Sequence, residues 1–124
     1  MKRLIAAAIL FIFVVASYLT GFAFINNTYK TANELLEECI NIYESDKSAY
    51  NATKNLKNFW DKKEGLLSVF ANHSSIDDIE LAISSMLVYS DTKNNEVFYE
   101  YSSTVKTLLH QLLEDSKPNM HSIS

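Results

Sequence analysis

The residues best placed to do chemistry lie in one short stretch, Phe70-Ala71-Asn72-His73-Ser74-Ser75-Ile76-Asp77-Asp78-Ile79-Glu80, where one histidine is followed by three acids. A divalent cation would need His73 to converge with carboxylates, and Asp77 and Glu80, three apart on a helix, put oxygens on adjacent turns. Only one imidazole is at hand. Position explains most of the pattern without a ligand: His73 at the end of one helix suits the negative end of its dipole, while Ser75 caps the next, with Asp77 and Asp78 in its first turn. The stretch is therefore read as a helix junction. His73, Asp77 and Glu80 remain the metal-ligand candidates, and no metal or cofactor is assigned.

Glu80 is the residue that capping does not explain. It falls one turn after Ile76, among Ile79, Ile83 and Leu87, so it flanks the apolar stripe. A carboxylate there needs a partner or a raised pKa, and His73, Trp60 or a tyrosine hydroxyl could serve. A contact from His73 to Glu80 would lock the second and third helices together. Trp60 is expected to anchor the core, its ring burying a large area and its N–H finding an acceptor. Nowhere does a nucleophile pair with a base or a glycine-rich loop offer to cradle phosphate, so an enzyme is not expected.

The elements that position these residues are helices, because only Gly21, Gly65 and Pro118 interrupt the chain and strand-like alternation is absent. Tyr29 to Tyr43 alternates apolar and polar faces at helical spacing, either as a continuation of what precedes it or as a helix of its own. Ser45-Asp46-Lys47-Ser48 ends it with good capping residues for the next. From Ala49 to Phe70 the stripe is Ala49, Ala52, Leu56, Phe59, Trp60, Leu67 and Phe70, with Lys54, Lys57, Asp61, Glu64 and Ser68 facing away. The third helix carries Ile76, Ile79, Ile83, Met86 and Leu87, and the fourth Val97, Phe98, Tyr101, Val105, Leu108, Leu109 and Leu112, ending near Asp115. Residues 116–124 are expected to be a frayed, disordered tail.

Leu81 and Val88, seven apart, fall on the opposite side of the third helix from its stripe. That helix thus has two apolar faces and is expected to sit between neighbours or at an oligomer contact. Ile42-Tyr43-Glu44-Ser45-Asp46-Lys47 resembles Val88-Tyr89-Ser90-Asp91-Thr92-Lys93, an internal echo in which each block ends one helix and starts another. The expected fold class is all-α: two helical hairpins packed as a four-helix bundle.

Ahead of this domain, Leu4 to Ile25 is 22 residues without a charge. At about 1.5 Å per residue it is long enough for a hydrocarbon layer about 30 Å thick, and it reads as a transmembrane signal anchor. Lys2 and Arg3 place residues 1–3 in the cytoplasm and residues 26–115 outside, giving a single-pass cell-membrane protein. Cleavage after Gly21-Phe22-Ala23 is the competing expectation, although the run exceeds a signal-peptide core of about 7 to 15 residues. Three residues ahead of the span would leave no room for a cytoplasmic output domain, so signalling would need a partner.

The chain has net charge −4, and its exported part holds all 15 acids while leaving Lys2 and Arg3 behind. No clustered basic footprint for nucleic acid exists. Cys39 is the only cysteine, which excludes an intramolecular disulfide and a cysteine-based zinc site. It is expected as a small buried hydrophobe, with an intermolecular disulfide as the alternative.

The short basic start, the single span, the asparagine-threonine juncture and the series Trp60, Leu67, Phe70, His73, Ile76-Asp77, Ile79-Glu80 together resemble a family of small bacterial proteins known as domain of unknown function 4363. The resemblance implies an exported, membrane-anchored helical domain and supplies no activity. The expected function is a non-enzymatic extracytoplasmic interaction module, with the lipid bilayer held through residues 4–25 and an envelope membrane protein or a second copy as partner. Trp60, Phe70, His73, Asp77, Glu80, Leu81 and Val88 are its structural or interaction candidates. The alternative is a small-ligand or metal-sensing domain with its site around residues 73–80.

Overall fold

The computed structural model describes residues 1–45 and 47–116. Four helices follow in order: α1 Lys2–Glu44, α2 Tyr50–Phe70, α3 His73–Tyr89 and α4 Asn95–Ser116. The described residues form helices joined by short turns, as the missing breakers and 3.6-residue periodicity predict. Residues 117–124, where a frayed tail is expected, and Asp46 lie outside the described residues.

Each helix touches two others: α1 packs on α2 and α4, and α3 packs on the same two. Short connections reverse the direction each time, so the bundle runs up, down, up, down around a square. The α1–α2 and α3–α4 hairpins bring their turns to the same end, where the Ala49 N–H donates to the Ser90 carbonyl at 2.9 Å. The two echoing blocks therefore meet in space. Tyr43 Oη reaches the Thr92 carbonyl at 2.9 Å and the Asn95 side-chain oxygen position at 2.8 Å. A phenol has one proton, so donation to Thr92 with the Asn95 amide turned to donate back satisfies the group. The Tyr43 ring also stacks on Phe98 at 3.9 Å between centroids.

The first helix is unbroken over 43 residues, about 65 Å at 1.5 Å per residue. Residues 2–20 are exposed all round, and burial begins at Gly21. From there Gly21, Ile25, Thr28, Ala32, Leu36, Cys39 and Tyr43 recur at threes and fours and form its core stripe. This helix is long and apolar enough to cross a membrane. The amphipathic segment from Tyr29 to Tyr43 is thus its continuation, with no joint between.

At the α1 end of the bundle Phe70 departs from expectation. It stays 39% exposed instead of entering the core. The bundle stops one turn earlier, at Leu67, and the Phe70 ring lies across Gly21: a Cβ built there would stand 2.6 Å from Phe70 Cδ1. Glycine is what allows the close approach. Phe24 flanks the same ring at 6.1 Å between centroids.

Candidate functional site

The stretch from Phe70 to Glu80 is a helix junction, but its parts are assigned differently from expectation. Ala71 is extended, with φ −128° and ψ 165°, and ends α2. Asn72, also extended, is the N-cap of α3: its side-chain oxygen accepts from the Ser74 N–H at 2.9 Å. Ser75 is inside the first turn, so it is not the cap. His73 is the first residue of α3 rather than the last of α2, and it stands at the positive end of a helix dipole, the opposite of the expected placement. Asp77 and Asp78 fall in the second turn, exposed. We expect Asn72→Ala to lower stability by about 1 kcal/mol and Ser75→Ala to cost much less, measured by thermal melts of the full chain in detergent.

His73 is exposed and makes no hydrogen bond or ion pair to Glu80, from which two helical turns separate it. The residue that meets Glu80 across the α2–α3 interface is Glu64. Trp60 and Leu67 are fully buried, and Glu64 falls four after the first and three before the second, in the gap of the α2 stripe. Glu80 occupies the matching gap in α3, four after Ile76 and three before Ile83. The two half-buried acids face each other across the helix interface, and with Asp61 their carboxylate oxygens lie within 4.8 Å of one another.

Two carboxylates can hydrogen-bond only if one holds a proton. The hydrogen bond with Glu80 is the largest cause pushing the Glu64 pKa up to about 7; burial and the negative charges of Glu80, Asp61 and Asp77 add to it. Lys57 pairs with Asp61 at 3.1 Å, on the outer side of the group. At neutral pH Glu64 sits close to its own titration. Glu64 can hold a proton there, or the three carboxylates can offer their oxygens to a cation.

Trp60 is fully buried on α2 and so cannot line an open pocket beside His73. Its Nε1–H has no acceptor among the described residues, contrary to the expected pairing. Cys39 is buried and free, and burial pushes its thiol up to about 11 despite an opposing contact with the Thr53 hydroxyl. A protonated, enclosed thiol is a poor partner for an intermolecular disulfide. Leu81 and Val88 are 68% and 66% exposed, outside the α2 and α4 contacts that cover the opposite face of α3.

Two clefts lie at the ends of the bundle. A cleft of about 540 Å³ at the far end is lined by Tyr43, Lys47, Ser48, Ser90, Asp91, Thr92, Lys93 and Asn95. Another, of about 390 Å³ beside the junction, is lined by Phe70, Ala71, Asn72, Ser75, Leu112, Asp115 and Ser116. Neither takes in His73, Asp77 or Glu80.

No curated protein and no solved structure matches this chain. The model of one family, described as a domain of unknown function (DUF4363), matches residues 19–123. That match begins near the residue where α1 becomes buried and takes in the whole bundle, so the chain belongs to the DUF4363 family.

Proposed function

We propose that this is a non-enzymatic interaction module, held at the cell membrane by α1 with its bundle outside the cell, which presents the outer face of α3 to a second copy or to an envelope protein in the same membrane. The observation that carries the reading is the exposed pair Leu81 and Val88, at 68% and 66%, on the helix face opposite the core. Large aliphatic side chains seven apart on one face form a strip that a facing helix can cover. Lys2 and Arg3 before the apolar run favour an N-terminus inside.

Single thiols at position 81 or 88, with Cys39→Ala in the background, test both halves of this reading. In intact cells, Leu81→Cys and Val88→Cys should react with a membrane-impermeant maleimide, and under oxidation or with a short bifunctional reagent they should form discrete adducts. Thr104→Cys, exposed on α4, should label but not cross-link. Leu81→Asp should abolish the Val88→Cys adduct while the melting temperature stays within a few degrees, because an exposed site costs folding little. Labelling only after permeabilisation would reverse the topology. Equal adducts at position 104, or none anywhere, would remove the interaction surface.

The Asp61, Glu64 and Glu80 group favours a second reading, a divalent-cation sensor, in place of a site built on His73 and Asp77. Calcium or manganese should then raise the melting temperature of the parent chain at pH 8 and leave Glu64→Gln unmoved.

A further inference from the structure

The end of α2 carries three exposed apolar residues, Leu66 at 52%, Val69 at 70% and Phe70 at 39%. Their place in the fold sets them apart from the α3 face: they stand where the bundle meets the exposed part of α1. Phe70 lies over Gly21 and shares a groove of about 260 Å³ with Phe13, Ala16, Ser17 and Thr20. All of these α1 residues are inside the charge-free run from Leu4 to Ile25.

Counting from Arg3, a hydrocarbon layer about 30 Å thick takes up about 20 residues of helix, to the neighbourhood of Ala23. Gly21, and with it the Phe70 ring, then falls inside the outer boundary of that layer. Leu66 is one turn of α2 higher. Lys62 and Lys63 are about two turns above Phe70, at headgroup height, and Lys63 Nζ lies over the rings of Phe24 and Phe59 at 5.7 and 5.8 Å. Apolar tip below and cations above is the order in which a bilayer interface holds side chains. The foot of α4 differs: Asp115 is exposed there, and Tyr18 Oη donates to the Ser116 carbonyl at 3.3 Å. An acid at that level limits how deeply the foot of α4 can be immersed.

We infer that Leu66, Val69 and Phe70 form a second membrane contact, seated at the acyl-headgroup boundary of the outer leaflet beside α1. This rests on α1 being the span, and the groove between Phe70 and Phe13 to Thr20 is then lined for an acyl chain. The α2–α3 turn, at the level of Phe70, then touches lipid.

The test is depth measurement by spin label on the full chain in phosphatidylcholine and phosphatidylglycerol vesicles. Nitroxides are placed singly at Phe11→Cys, Val69→Cys and Thr104→Cys, with Cys39→Ala throughout. All three sites are exposed, so the labels should leave the fold intact. Collision with oxygen, which concentrates in lipid, is compared with collision with a water-soluble nickel chelate. The expected result is an oxygen-to-nickel ratio several-fold higher at 69 than at 104, approaching that at 11. If position 69 matches 104 while 11 reads lipid, this inference is wrong and the anchor stands. If 11 reads water, the anchor reading itself fails and takes this inference with it. If 69 is shielded from both reagents, protein covers it and a bilayer contact is ruled out.

Discussion

Trp60→Ala should abolish cooperative folding of the bundle or lower its melting temperature by more than about 12 °C, because emptying a fully buried tryptophan site costs about 3–5 kcal/mol and each kcal/mol is worth several degrees in a domain this small. Trp60 has no exposed surface and stands at the middle of α2, between Leu56 and Leu67. The loss compares with a large part of the roughly 5–15 kcal/mol that holds such a domain together. Trp60→Phe should be much milder: it removes less volume and also removes the Nε1–H that is buried without an acceptor among the described residues. Circular dichroism melts of the full chain in detergent give both numbers. A Trp60→Ala protein that melts within a few degrees of the parent would mean the core is not organised around this residue.

The second large effect is one of pH, and it runs against the usual behaviour of acids in folded proteins. The Glu64 carboxyl is raised from 4.5 to about 7 in the fold. A group whose folded pKa lies above its unfolded value stabilises fully below the unfolded value, and that stabilisation is lost as pH rises through the folded one. The bundle should therefore lose stability between about pH 5 and pH 8. Glu64→Gln keeps a donor to Glu80 without the charge, so it should flatten this part of the profile and melt higher than the parent at pH 8, while melting about equally at pH 5. A parent and variant with parallel profiles would exclude the shared proton. The cation reading uses the same samples: calcium or manganese at pH 8 should raise the parent's melting temperature and leave Glu64→Gln unmoved if Asp61, Glu64 and Glu80 form a metal site. No shift in the parent with either ion would end that reading.

Glu64 also shows why part of the site was hidden in the sequence. Sorted by polarity, it joined Lys57 and Asp61 on the solvent face. Sorted by spacing, it completes the series Trp60, Glu64, Leu67 and belongs to the buried stripe, just as Glu80 does between Ile76 and Ile83. Glu80 stands out in the sequence because isoleucines surround it, whereas the lysines beside Glu64 mask the same geometry. The junction raises a different difficulty. Asn72 and Ser75 are both good capping residues, and no glycine or proline marks the turn, so only the extended backbone at Ala71 and Asn72 decides between them. The four helices and most of the α4 stripe are legible because periodicity dictates them; Ser102 and Leu113 join that stripe as well. The position of Phe70 is not legible, since a stripe extrapolated along α2 cannot show that the bundle ends one turn earlier, against a glycine on another helix.

The unbroken α1 has a mechanical consequence. A bundle joined to its anchor by a flexible tether would tumble and sample every heading; one built on the anchor's own helix cannot. If α1 spans the bilayer, the strip from Leu81 to Val88 stands at fixed height, about 12 to 22 Å above the level of Gly21 at 1.5 Å per residue, and its azimuth turns only as the whole rod spins. Two such molecules diffusing in one sheet meet with matching elevation and tilt, so most of the orientational freedom that association in solution must remove is already gone. A weak helix-on-helix contact, too small to hold two free domains together, would then suffice. Conversely, a twist or vertical shift of the buried segment would arrive undamped at Tyr43 and the paired loops on the far end.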